Sequence, residues 1–144
     1  MKEFLIFMCT LLLFAGMQQS LAQSRRCSQS TLDRLEKESD QIRDWSKLRE
    51  FSHRYQKCRI DDAEITEGVS ESVARLFADH WDTLPIAAKL FKLDPLFETF
   101  ALAGINITDS TDDLNRIDAH ATNECPVILQ SLCQKIRGSI LDNK

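Results

Sequence analysis

The stretch AEITEGVSESVARLFADHW, residues 63–81, decides the fold of this chain. Its apolar side chains recur at intervals of three and four residues, which is the period of an amphipathic helix. The positions on this stripe are Ile65, Val69, Val73, Leu76, Phe77 and His80. Asp61 or Asp62 is expected to cap the helix, with Glu64 in the first turn, where the helix dipole favours negative charge. The pattern therefore predicts one helix over 63–81.

The same spacing continues on both sides of this helix, and the chain lacks runs of alternating β-branched residues. One helical region is predicted from about Thr31 to Lys57, with a break near Ser39–Asp40 as an alternative. The remaining helices are predicted to begin at Thr83, at Asp94–Pro95, at Ser110 or Thr111, and at Pro126. The last one is expected to carry Ile128, Leu129, Leu132, Ile136 and Ile140. We predict an all-α domain, a compact bundle of five or six helices with two disulfides.

Two glycines have structural implications. Gly68 lies inside the predicted helix, where glycine costs about 1 kcal/mol relative to alanine and so indicates a packing reason. Together with Ser72 one turn later, it would allow another helix to approach closely, either within the bundle, which we favour, or in a homodimer. Gly104 is expected to end its helix in a left-handed conformation.

Residues 1–22 have the layout of a cleavable secretory signal peptide. Lys2 precedes an uncharged apolar run, and the small residues Ser20 and Ala22 occupy the two positions that a signal peptidase recognises. The apolar run is shorter than the roughly 20 residues that cross a bilayer. We predict cleavage after Ala22, a mature helical domain over 23–144, and no stable membrane anchor after cleavage. The net charge of −4 argues against nucleic acid and anionic lipid as partners.

Four cysteines remain after the predicted cleavage: Cys27, Cys58, Cys125 and Cys133. An even number of cysteines in an exported domain favours disulfides, and three connectivities are compatible with four cysteines. We favour pairing each cysteine with its nearest neighbour in sequence. Since bridged Cα atoms lie within about 7 Å, the second pair needs a turn between its members, which Pro126 favours.

No constellation for catalysis or metal binding stands out. The three histidines, His53, His80 and His120, fall on separate predicted helices, and none has a second ligand at helical spacing. Asp79 and His80 are adjacent and so point in different directions on a helix, and His80 is expected in the core or partly buried. The acidic run 109–113 lacks the glycine and glutamate of an EF-hand and is explained by helix capping. We therefore expect a protein that is not an enzyme and has no metal or cofactor.

Two further features leave alternatives open. Asn106-Ile107-Thr108 is a formal N-glycosylation acceptor, which would matter only in a eukaryotic secretory pathway. A small exported helical domain rich in phenylalanine is also compatible with a carrier of an apolar ligand, or with a structural periplasmic factor.

Several segments of the chain resemble segments of a group of small exported proteobacterial proteins, in which they occur in the same order. They are Cys58–Val73, Ala78–Trp81, Asp94–Phe97, Thr111–Leu114, Cys125–Pro126 and Leu132–Cys133. In size, export, helicity and paired cysteines, this group is similar to the Tai-type periplasmic immunity proteins of type VI secretion systems. The resemblance implies a periplasmic protein that binds and neutralises a secreted antibacterial toxin, such as a cell-wall amidase.

An inhibitor of this kind needs a rigid surface of complementary charge rather than chemistry of its own. Two acidic clusters are candidates for partner binding. They are Asp61, Asp62 and Glu64 at one helix start, and Asp109, Asp112 and Asp113 at another. The competing interpretation is that both clusters only cap their helices.

Overall fold

The computed structural model describes residues 27–58, 63–106 and 110–142. The predicted signal peptide, 1–22, lies outside them. Within this part of the chain there are seven α-helices: α1 Gln29–Ser39, α2 Trp45–Cys58, α3 Ala63–Asp79, α4 Leu84–Leu93, α5 Pro95–Asn106, α6 Thr111–Asn123 and α7 Gln130–Asp142. Two 3-10 turns, Trp81–Thr83 and Val127–Leu129, precede α4 and α7. Every regular element in the described ranges is helical, so the all-α prediction is confirmed.

Helix α3 lies at the centre of the bundle, packed against α1, α5 and α6. Its buried residues occupy most of its circumference: Ile65, Gly68, Val69, Ser70, Ser72, Val73, Ala74, Leu76, Phe77 and Ala78. The aromatic core forms beside it, where Trp45 meets Phe77 edge-on at 4.8 Å between ring centroids and Phe91 at 5.9 Å. A helix surrounded in this way can leave only a narrow strip of its surface exposed.

The predicted first helical region, 31–57, consists of two helices, α1 and α2. They are separated by a short segment after Ser39, where the alternative prediction placed a break. The prediction for His80 was wrong. Because α3 already ends at Asp79, the chain turns before His80, which is exposed, and Trp81 enters the core instead. The Trp81 indole N–H donates to the Glu124 carbonyl oxygen at 3.2 Å, which attaches the end of α3 to the end of α6.

The last helix also starts later than predicted. Residues Val127–Leu129 form a 3-10 turn, and α7 begins at Gln130. Of the expected core positions, Leu132, Ile136 and Ile140 are buried, whereas Ile128 is 89% exposed. The turn rotates Ile128 away from the face that the helical spacing assigned to it.

The two glycines serve close packing. A Cβ atom on Gly68 would overlap Ser39 Oγ and Asp40 Oδ1 at the end of α1, and the Ser72 hydroxyl donates to the Ser39 carbonyl oxygen at 2.5 Å. The expected close approach is thus present within the bundle. The prediction for Gly104 was wrong, since α5 continues through it to Asn106. A Cβ atom there would stand 2.8 Å from Cγ2 of the buried Val73.

Glycine-to-alanine substitutions at two helical positions should therefore have opposite effects on the stability of the fold. Gly104→Ala should lower the free energy of unfolding by about 1–3 kcal/mol, because the added Cβ atom would overlap three side-chain atoms of the fully buried Val73. Gly138→Ala should raise it by about 0.4–1 kcal/mol, because nothing lies within 4 Å of the added methyl group and alanine favours the helix. Urea unfolding of both variants measures this. A Gly104→Ala variant as stable as the wild type, or more stable, would contradict the close α3–α5 packing.

The disulfides join Cys27 to Cys58 and Cys125 to Cys133, as favoured from the sequence. Their Cα–Cα distances are 5.1 and 6.3 Å. The first bridge holds the entry to α1 against the end of α2. The second spans the turn between α6 and α7 that Pro126 begins.

Removing either disulfide should lower the free energy of unfolding, and the loss should be larger for the bridge that closes the longer loop. The pairs are separated by 31 and 8 residues. Replacing Cys27 and Cys58 by serine should lower the free energy of unfolding by about 4 kcal/mol, and replacing Cys125 and Cys133 by about 2.5 kcal/mol, in the chain-entropy description. Urea unfolding of the two double variants tests this order. A larger loss from the shorter loop would mean that the bridge acts through native contacts.

Asp94 begins α5 and links it to α2. Its buried carboxylate accepts the Phe97 backbone N–H at 3.1 Å, so it caps the helix as predicted. The Arg49 guanidinium donates to the same carboxylate at 2.8 Å, and His53 Nε2 lies at 2.8 Å. The hydrogen bond from Arg49 is the main cause that lowers the pKa of Asp94, and burial opposes it.

Asp94→Asn should keep a capping oxygen but lose the charge, and so destabilise the protein at neutral pH. Since the folded-state pKa of Asp94 is lowered, its contribution is present above the unfolded value of about 3.9 and is lost as the pH falls through the folded-state value. The difference in unfolding free energy between wild type and variant should therefore shrink below about pH 4. A difference that stays the same in urea titrations at pH 7 and pH 2 would contradict this role.

Candidate functional site

One side of α3 forms the floor of a cleft of about 510 Å³ that opens to solvent. The residues that line it are Ala63, Thr66, Glu67, Ser70, Glu71, Ala74, Arg75, Asp79, Ser110 and Asp113. All but the last two belong to α3. The first turn of α6 supplies the other wall, so the cleft lies where two helices meet.

Small side chains create the space in this cleft. Ala63, Thr66, Ser70 and Ala74 are spaced by three and four residues, which places them on one face of α3. The Ser70 hydroxyl donates to the Glu67 carbonyl oxygen of the preceding turn at 3.1 Å, so it stays close to the helix backbone. Larger residues at these positions would fill the floor.

The rim of the cleft is acidic. Glu67 and Glu71 are both exposed and lie one turn apart on α3, where like charges destabilise a helix by about 0.2–0.5 kcal/mol. No ion pair links either carboxylate to a cation among the described residues. Asp79 stands at the end of the helix and Asp113 on the opposite wall. This arrangement keeps negative charge on the surface at a small cost to the helix.

Arg116 compensates part of this charge. It forms ion pairs with Asp79 at 2.5 Å, Asp113 at 2.6 Å and Asp112 at 3.4 Å. The hydrogen bonds that Arg116 donates to Asp113 and then to Asp79 raise the pKa of its guanidinium above an already high value. One permanent positive charge therefore serves three carboxylates, and the wall formed by α6 stays negative.

Arg75, the cationic side chain in the lining, is directed elsewhere. Its guanidinium lies 3.4 Å from the Ile42 carbonyl oxygen, towards the segment between α1 and α2. The Glu67–Glu71 side of the cleft thus presents the least compensated charge. A basic side chain of a partner would meet two carboxylates there.

The predicted partner-binding residues fall on or beside this cleft where the structure describes them. Glu64 is exposed in the first turn of α3, next to the lining residue Ala63. Asp113 lines the cleft, and Asp112 is exposed beside it. The other three predicted residues, Asp61, Asp62 and Asp109, lie outside the described residues. The starts of two helices that are far apart in sequence therefore border one cleft.

Capping accounts for part of the second cluster, as the competing interpretation held. The Ser110 hydroxyl accepts the Asp113 backbone N–H at 3.3 Å, so Ser110 caps α6. Sequence reasoning missed Glu67, Glu71 and Asp79. The clue was present in the spacing, since Glu64, Glu67 and Glu71 share one side of a helix whose other sides are apolar or small.

The histidines contribute no site of their own. His53 approaches Asp94, and the His120 ring stacks on Trp81 at 5.5 Å between centroids. In the described ranges, no three His, Cys, Asp or Glu side chains are grouped as metal ligands would be. None of the helices in these ranges is long and apolar enough to span a membrane.

Comparison with protein-family models, with curated proteins and with solved structures finds no match.

Proposed function

We propose that this chain is an exported protein-binding domain, and specifically a periplasmic immunity protein that binds and neutralises a secreted antibacterial toxin such as a cell-wall amidase. The acidic cleft along α3 is the observation that supports binding. Its side chains are carboxylates, small residues and one arginine, a set suited to recognising a basic protein surface. The proposal includes no enzymatic activity, metal or cofactor.

Export fits this role. A signal peptide cleaved after Ala22 would deliver the domain to the periplasm, where a toxin aimed at the cell wall arrives. The two disulfides suit that oxidising compartment and keep the helices in fixed relative positions. A preorganised surface loses little conformational entropy when it binds.

Charge would act mainly on recognition and on the rate of encounter. A negative cleft attracts a basic partner over a distance of about 10 Å at 0.1 M salt. Like-charged surfaces are disfavoured, which contributes to the choice of partner. The carboxylates of Glu67 and Glu71 carry this role, because Arg116 does not neutralise them.

The main alternative, a carrier of an apolar ligand, is less well supported. Such a protein needs a largely enclosed apolar cavity, typically of about 300–1,000 Å³. The clefts of about 170 to 510 Å³ that the described residues line are open to solvent, and the cleft of about 510 Å³ has an acidic rim. We therefore prefer a protein partner.

Charge reversal in the cleft tests the proposal. Tagged wild type and the Glu67→Lys/Glu71→Lys variant are used to capture partners from periplasm of the native host, and the affinity for the captured toxin is then measured by calorimetry. The variant should bind about tenfold or more weakly at 0.1 M salt, and the deficit should shrink as salt increases.

The matched control is Asp33→Lys/Asp82→Lys, which changes the net charge equally at two exposed positions outside the cleft. It should bind like the wild type. Equal affinity of the cleft variant and the wild type would refute the cleft as the binding surface, and a captured partner without toxic activity would refute the immunity role.

A further inference from the structure

The tip of the connection between α6 and α7 exposes two branched apolar side chains. Val127 is 81% exposed and Ile128 is 89% exposed, more than any other large apolar side chain in the described ranges. Leu129, the third residue of the turn, packs against the core. We call the adjacent pair Val127 and Ile128 the knuckle.

Three constraints hold the knuckle in place. The Cys125–Cys133 bridge closes the loop, and the Leu129 N–H donates to the Pro126 carbonyl oxygen at 2.8 Å. The Trp81 indole N–H binds the Glu124 carbonyl oxygen just before it. The protrusion is therefore preorganised, and a partner that buries it need not order a mobile loop.

A shallow groove of about 390 Å³ adjoins the knuckle. Its lining residues of apolar character are Ala88, Phe91, Ile128, Leu129 and Leu132. Phe91 and Leu132 are buried beneath the groove, so the exposed apolar side chains are those of the knuckle, with Ala88 and Leu129 half-buried beside them.

The polar rim of this groove is predominantly basic. Lys135 pairs with Glu98 at 2.6 Å, so these two charges compensate each other. Lys92 also lines the groove, and no ion pair joins it to another described residue. The surface is thus apolar with one uncompensated positive charge, opposite in sign to the cleft along α3.

We propose that the knuckle and its groove dock an acidic amphipathic segment of a partner protein. Apolar side chains of that segment cover Ile128 and the groove floor, and its carboxylates face Lys92. An anionic membrane fits less well, because membrane surfaces attract clusters of several basic residues, whereas this surface offers the single lysine Lys92 outside an ion pair. The inference does not depend on the acidic cleft, which would attract segments of the opposite charge.

A designed peptide probes this surface directly. It is an amphipathic helix with leucine on one face and flanking glutamates, and its reference peptide has lysine in place of each glutamate. Amide NMR titration of the full domain should show shifts for the acidic peptide at residues 127–132 and 88–92. Ile128→Ser should weaken this binding about tenfold or more, and Lys92→Glu should reverse the preference between the two peptides.

Leu141→Ser is the matched control, since Leu141 is 66% exposed but lies outside the groove. It should leave binding unchanged, and urea unfolding checks that each variant is folded. The proposal is overturned if the acidic peptide does not bind at millimolar concentration, or if both peptides bind this surface equally. It is also overturned if anionic phospholipid vesicles, or a second copy of the chain in sedimentation, occupy the surface in a manner that Ile128→Ser abolishes.

Discussion

The burial of α3 is the constraint on which the rest of the structure depends. Three helices pack on it, so most of its circumference must be apolar or small. Gly68 meets the end of α1, and Val73 meets Gly104 of α5. The remaining strip, which includes the exposed Glu67 and Glu71, becomes the rim of the cleft. The packing of the core thus determines where the candidate site lies.

The chain separates two surfaces of different chemistry. The cleft along α3 is concave and acidic, and the end that carries Val127 and Ile128 exposes apolar side chains beside Lys92. Both use rigid elements rather than long loops, because the disulfides and the Trp81–Glu124 hydrogen bond fix the helix connections. In the proposed binding role, such fixed positions would supply specificity without chemistry of the chain's own.

Much of the fold follows from the sequence because helical periodicity and capping are local effects. The start of α5 at Asp94–Pro95 and the cap at Ser110 depend only on neighbouring residues, and both were predictable. His80, Gly104 and Ile128 were placed wrongly because each depends on where a helix begins or ends, which is decided by tertiary contacts such as the burial of Trp81. The acidic cleft was only partly foreseen, since its walls come from helices that are distant in sequence.

Zero-length crosslinking in the intact host tests the central claim most directly. A carbodiimide joins a carboxylate to a lysine in direct contact, and mass spectrometry then locates both residues. We predict that crosslinks from this chain connect Glu67 or Glu71 to lysines of one exported toxin. Crosslinks to a partner that arise only from carboxylates outside the cleft, such as Asp33 or Asp82, would contradict the account.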